Sequence, residues 1–206
     1  GRYIKVPRGI LEKLIQKCDE SKIHYTVEDN RSFGRPIRVG FKGQLREQQE
    51  FAAEKLEKYD NGVLCAATAF GKTVLAAYMI AQRKVSTLIL LENKELIPQW
   101  IEELNSFLDI DEALPTYQTK TGKNKVRQQI IGTLIAGTDI TNGIIDFAMV
   151  RSAYHQGAFF SNLGSYGMVL VDECHHAASF QAQEVLQHIR AKYVYGLSAT
   201  PIRSDD

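Results

Sequence analysis

Lys72 and the acid pair Asp172-Glu173 are the side chains best suited to chemistry on a phosphate anhydride, and about a hundred residues separate them. Lys72 ends the stretch Ala66-Ala67-Thr68-Ala69-Phe70-Gly71 and is followed by Thr73. An apolar run, Gly62-Val63-Leu64-Cys65, precedes this loop, and Val74 to Ala81 reads as a helix after it. Strand, tight loop and helix together aim successive backbone N–H groups and the positive end of a helix dipole at one point. That is the context of a phosphate-binding loop, in which Ala69, Phe70, Gly71, Lys72 and Thr73 would cradle a triphosphate. The first glycine of the pattern is replaced by Ala66. Alanine in a left-handed conformation costs about 1–2 kcal/mol, so right-handed angles are expected at Ala66 and Ala69. Standing alone, the same residues would equally describe a strand-to-helix turn with a surface lysine.

Downstream, Met168-Val169-Leu170-Val171 runs directly into Asp172-Glu173-Cys174-His175. An apolar strand that delivers acids at its C-terminal end brings them to the edge where open α/β sheets bind ligands. Asp172 is expected to hold Mg2+ through water, with the Thr73 hydroxyl on the same ion. Glu173 would orient and polarise an attacking water. Cys174-His175-His176 also invites a zinc reading, but three consecutive side chains do not converge on one tetrahedral ion.

With these residues in place the chain resembles the superfamily two DEAD/DEAH-box helicases and translocases, including the type III restriction and repair subgroups. Gly71-Lys72-Thr73, Asp172-Glu173-Cys174-His175 and Ser198-Ala199-Thr200-Pro201 look like motifs I, II and III in that order and spacing. The resemblance covers residues 41–206 and implies an ATP-binding RecA-like domain. It implies that Leu45-Arg46-Glu47-Gln48-Gln49 lies at the base, with Arg46 and Gln49 as nucleotide contacts and the Gln49 carboxamide on the adenine edge. By the same resemblance His175, Ser198 and Thr200 couple nucleotide state to a neighbouring domain, and Lys94, Arg151 and Ser152 touch nucleic acid. Asn93 and Arg151 stand where the subgroup commonly has arginine and glutamine. The family's second RecA-like domain is absent from this chain, which is therefore expected to bind ATP and hydrolyse it poorly. DNA is favoured over RNA as the nucleic-acid partner. A nucleic-acid binding module whose nucleotide site only regulates affinity is the alternative, and a small-molecule kinase fits less well, since nothing describes its second substrate pocket.

The elements that must position these residues alternate. After the loop helix, Thr87-Leu88-Ile89-Leu90-Leu91 reads as a parallel strand covered on both faces. Residues 93–108 resume helical spacing, and Ile144–Val150, Gly167–Val171 and Lys192–Leu197 are further buried strands. The spacing also predicts a helix over 46–59 with Phe51, Ala52, Lys55 and Leu56 on one face, and another near 125–135. Between them Lys120, Lys123, Lys125 and Arg127 surround Gly122. The rhythm is that of an α/β fold, a mostly parallel sheet flanked by helices. Residues 1–40 read as a small basic α+β appendage: a helix after Pro7, then Ile23–Val27 and Ile37–Phe41 as paired strands.

Composition reads as an ordinary soluble protein: 206 residues, 44% hydrophobic and 24% charged. No apolar stretch approaches the roughly 20 residues that span a bilayer, so no membrane partner is expected. Three widely spaced cysteines argue for a reducing compartment and a cytoplasmic protein. Net charge is +1, but residues 1–46 carry +6 and residues 47–206 carry −5. The basic N-terminal part suits either a phosphate backbone or an ordinary solvated surface.

Overall fold

A computed structural model describes residues 3–4, 6, 8–119, 121–175 and 179–199. The chain divides into two compact units, Gly1–Asn30 and Arg31–Asp206, so the boundary falls ten residues before the expected position at residue 40.

In the first unit, helix α1 (Leu11–Glu20) buries none of its residues. Its last turn is closed by the bond from Ile23 N–H to Cys18 O, 2.9 Å. Among the described residues of this unit no strand forms, and Ile23, Tyr25 and Val27 are exposed. Alternation alone does not make a strand without a partner, and the expected partner belongs to the other unit.

The second unit begins with β1 (Val39–Phe41), which pairs antiparallel with β4 (Leu108–Ile110). Helix α2 (Glu47–Glu57) leads into β2 (Asn61–Cys65), the phosphate loop, α3 (Lys72–Arg83) and β3 (Thr87–Leu91). Helix α4 (Ile97–Phe107) runs into β4, and a hairpin of β5 (Thr116–Gln118) and β6 (Asn124–Val126) follows. Next come β7 (Ile131–Ile135), β8 (Thr138–Asp139), β9 (Ile145–Met149) and the short α5 (Val150–Ala153). A second small hairpin, β10 (Tyr154–His155) and β11 (Ala158–Phe159), precedes β12 (Met168–Val171), α6 (Phe180–His188) and β13 (Tyr193–Ser198).

Seven strands form one sheet in the order β2-β13-β12-β3-β9-β7-β8, parallel throughout except for the edge strand β8. Every residue of β3, β9 and β12 is buried, as expected of mostly apolar parallel strands covered on both faces, with Thr87 and Asp146 the buried polar residues among them. Alternate residues serve the two faces. Ile89, Leu91, Phe147 and Leu170 join Leu75, Ile80 and Leu104 in one core, whereas Leu88, Leu90, Ala148 and Val169 join Val185 and Ile189 in the other. The expected α/β architecture is therefore present.

Two local expectations fail. The stretch 125–135 holds β6 and β7 rather than a helix, because the β-branched Ile131, Thr133 and Ile135 favour an extended chain that completes the ladder beside β9. On α2 the buried residues are Gln49, Ala53 and Leu56, while Phe51 is exposed. Among the described residues no helix is long and apolar enough to cross a membrane.

Candidate nucleotide site at the strand ends

Sheet register decides which side chains meet. Parallel pairing places Ser198 beside Cys65, and Val171 between Gly196 and Leu90. The C-terminal ends of β2, β13 and β12 therefore lie side by side, bringing together residues far apart in sequence. The ladder continues into the phosphate loop, where Ala66 N–H donates to Ser198 O at 3.0 Å.

The loop makes a single 3-10 turn, Thr68–Phe70, and then Gly71 at φ 84° opens α3. Neither Ala66 nor Ala69 has a positive φ, as the cost of left-handed alanine predicts. Gly71 is needed twice over, since a Cβ there would also lie 2.6 Å from Gln49 Nε2. Gln49, 2% exposed, donates from Nε2 to Phe70 O at 2.8 Å and accepts Arg46 N–H on Oε1 at 2.9 Å. The Arg46 guanidinium donates to the same Phe70 carbonyl and to Ala69 O at 3.4 Å. Both residues thus pin the loop from α2. A primary amide carries two donor hydrogens and two acceptor lone pairs, so Gln49 keeps one of each beyond these bonds.

Lys72 Nζ lies 3.7 Å from Glu173 Oε1, which joins the first motif to the second. Glu173 sits at φ 47°, a left-handed backbone that costs a non-glycine residue roughly 1–2 kcal/mol. Its other oxygen, Oε2, is buried and has no hydrogen bond among the described residues. His175 Nδ1 is 3.2 Å from that oxygen but hydrogen-bonds Ser198 Oγ at 3.0 Å. Asp172 is 8% exposed; Oδ1 accepts Glu173 N–H at 3.0 Å and Oδ2 accepts the indole N–H of Trp100 at 3.1 Å. Burial pushes the Asp172 carboxyl up, the Trp100 bond opposes this, and neighbouring Glu173 adds to it. Burial likewise pushes the Cys174 thiol up, so this cysteine is a poor thiolate ligand.

Among the described residues no group of three or more His, Cys, Asp or Glu is arranged to hold a metal ion. That suits Mg2+, which keeps most of its waters and takes one or two protein ligands together with phosphate oxygens. Thr73 on the first turn of α3 and Asp172 at the end of β12 are the residues that would hold it. Glu173 Oε2, buried without a hydrogen bond and with the His175 ring 3.2 Å away, is a further acceptor. The donor set therefore fits a hydrated Mg2+ ion and a polyphosphate.

Lys94 is exposed in a turn whose first residue, Asn93, accepts Glu95 N–H on its side chain at 3.0 Å. Asparagine here is a cap. Arg151 is exposed on α5, after the strand neighbouring β3. Ser152 Oγ instead accepts Ala136 N–H at 3.0 Å and so holds the turn after β7. Thr200 lies outside the described residues. Trp100, whose spacing reads only as core, is the site residue that helical periodicity conceals; a buried indole N–H needs an acceptor, and Asp172 is that acceptor.

The family model described as Type III restriction enzyme, res subunit, matches residues 42–203. A DNA 3'-5' translocase XPB2 of Sulfurisphaera tokodaii is 30% identical over 99% of this chain and 39% of its own length. A putative DNA 3'-5' helicase Rad25 of Halobacterium salinarum is 30% identical over 88% of this chain and 28% of its own. This chain thus spans well under half the length of these curated relatives. Among solved structures, the UvsW helicase from bacteriophage T4 superposes with a TM-score of 0.60 at 12% identity, over 93% of this chain and 71% of that one. With its Lys72 loop and its Asp172-Glu173 strand end on one edge of an α/β sheet, the chain belongs to the type III restriction enzyme res subunit family.

Proposed function

We propose that this chain is the ATP-binding domain of a DNA helicase or translocase that couples Mg-ATP hydrolysis to movement on nucleic acid. The observation that carries the reading is the convergence of Lys72 and Glu173, 3.7 Å apart, beyond the ends of β2 and β12, which flank β13. The two relatives described above are named for DNA, although other relatives are named RNA helicases, and DNA is the partner this reading takes.

In this reading Lys72 and the loop N–H groups bind the phosphates, and Thr73 and Asp172 hold the ion that neutralises developing charge. Trp100 keeps the Asp172 carboxylate turned toward that position. Glu173 releases Lys72 to the phosphates and orients the attacking water. Gln49 meets adenine through its second donor and acceptor, while its first pair and Arg46 hold the loop. The His175–Ser198 bond ties the acid strand to β13 and offers a path by which nucleotide state reaches residues beyond Ser198, including Thr200. Lys94 and Arg151 line the nucleic-acid side, and a second RecA-like domain of the parent protein completes the site. Three cysteines without disulfide partners support a reducing compartment such as the cytoplasm.

Binding of a fluorescent ATP analogue to the chain, with Mg2+ and with chelator, tests the reading. Affinity should be Mg2+-dependent and lost in Lys72→Ala, and nucleotide should change the chain's affinity for DNA. Nucleotide binding that survives Lys72→Ala refutes the site. DNA affinity indifferent to nucleotide refutes the motor.

A further inference from the structure

The hairpin of β5 and β6 has no structural reason for its composition. All six of its strand residues are exposed, so neither strand contributes to a core. A two-stranded ribbon of this kind is marginal by itself. Between Thr116 and Arg127 stand four cations and no acid, in a part of the chain, residues 47–206, whose net charge is −5.

Register sorts these side chains onto faces. Tyr117 pairs with Lys125, and the ladder is extended at both ends by Thr119 N–H to Lys123 O, 2.9 Å, and Arg127 N–H to Pro115 O, 2.7 Å. Lys123, Lys125 and Arg127 are two residues apart and share the face that carries Tyr117. The Arg127 guanidinium lies over the Tyr117 ring at 5.1 Å, and the ring is still 40% exposed. Among the described residues none of these three cations is in an ion pair with a carboxylate.

We propose that the Tyr117, Lys123, Lys125 and Arg127 face of this hairpin binds single-stranded nucleic acid, the cations on phosphates and Tyr117 under a base. A sequence-tolerant site of this kind combines a cationic track with an aromatic platform. The hairpin precedes Ile131, at the end of β7 opposite the strand ends that carry the nucleotide site, so it is a contact apart from Lys94 and Arg151. The inference rests on the nucleic-acid motor reading of the chain and adds a second hold on the strand.

The test is fluorescence anisotropy of a labelled oligo-dT with the 206-residue chain across 50–200 mM salt. For single strands log K falls with log salt at roughly 0.7 per neutralised phosphate, so the variant Lys123→Ala/Lys125→Ala/Arg127→Ala should lose about 2 from the slope. Tyr117→Ala should weaken binding roughly tenfold and Tyr117→Phe should restore it, since stacking needs the ring and not the hydroxyl. Binding of the fluorescent ATP analogue, which these exposed residues do not touch, checks that each variant is folded. An unchanged slope in the triple variant, with the intact chain still binding oligo-dT, overturns the hairpin site and leaves the motor reading standing. Loss of slope with Tyr117→Ala silent overturns the stacking role and with it the single-strand assignment. Failure of the intact chain to bind oligo-dT overturns the site as well, whereas the motor reading is judged separately by Lys72→Ala.

Discussion

Trp100 is the one tryptophan of the chain, and its indole N–H ends on the carboxylate that would carry the metal ion. Its ring also packs edge-on against Phe147, with centroids 6.1 Å apart, so packing and hydrogen bonding can be separated by substitution. Trp100→Phe keeps an aromatic ring against Phe147 and removes the donor together with part of the indole's volume, so comparison with and without Mg2+ is what separates the two. The buried Asp172 oxygen then loses its partner, at a cost of about 1–3 kcal/mol. Removing that bond also pushes the Asp172 carboxyl further up, because Trp100 is what holds it down against burial. Mg2+-dependent ATP affinity should fall about tenfold, which 1.4 kcal/mol produces, while ATP affinity in chelator stays the same. Equal losses with and without Mg2+ would reduce Trp100 to a space-filling role.

At the scale of elements, the start of β9 shows how one buried acid fixes a turn that positions a strand. Asp146 is fully buried and accepts Asn142 N–H at 2.9 Å, Gly143 N–H at 2.7 Å and the Tyr166 hydroxyl at 2.8 Å. A Cβ on Gly132 of β7 would lie 2.1 Å from its carboxylate, so only glycine fits there. Burial pushes the Asp146 carboxyl above its ordinary value of 3.8, and the three donors hold it down. A carboxyl raised in the folded state binds its proton more tightly there than in the unfolded chain. Its contribution to stability is therefore present below 3.8 and is lost as pH rises through the raised value. Tyr166→Phe removes one of the donors, so its penalty, about 1–3 kcal/mol at pH 7.5, should shrink at pH 4. Urea unfolding at the two pH values measures this, and a penalty independent of pH would show that Asp146 does not ionise in the fold. None of this pinning is visible in the local pattern of 125–146. The buried strands β3, β9 and β12 are legible because predominantly apolar runs, interrupted in β9 by Asp146, need no knowledge of their neighbours. The strand at Val39–Phe41 is legible too, but its partner is not: Val39 pairs with Ile110 and not with 23–27, and β6 and β7 are decided by pairing of Lys125 with Tyr117 and Ile131 with Ile145. The site divides in the same way. Gly71, Lys72, Asp172 and Glu173 are legible from residue type and the strand before them, whereas the bonds from Gln49 and Arg46 to Phe70 and from Trp100 to Asp172 depend on packing.

At the scale of the molecule, the described strand ends bring Lys72 within 3.7 Å of Glu173, at the place where the proposed reading puts the phosphates. Phosphoryl transfer spreads charge over three equatorial oxygens, and an arginine supplied from a neighbouring domain is worth about 10³–10⁵ in rate. Arg46, whose guanidinium reaches the loop, is spent on the carbonyls of Ala69 and Phe70. The chain also covers only 39% and 28% of its two DNA-acting relatives, which leaves ample length in such proteins for a second lobe. The chain should therefore bind Mg-ATP about as tightly as its parent protein does, because the loop, Thr73 and Asp172 are all within it. On the proposed reading, kcat should be lower by about 10³ or more than that of a longer form carrying a second lobe, because an arginine supplied from such a lobe would act on the transition state and not on the ground state. Measuring ATP affinity and single-turnover hydrolysis on both proteins separates the two quantities. A chain that hydrolyses ATP at the parent's rate would be complete in itself, and the requirement for a second lobe would fall.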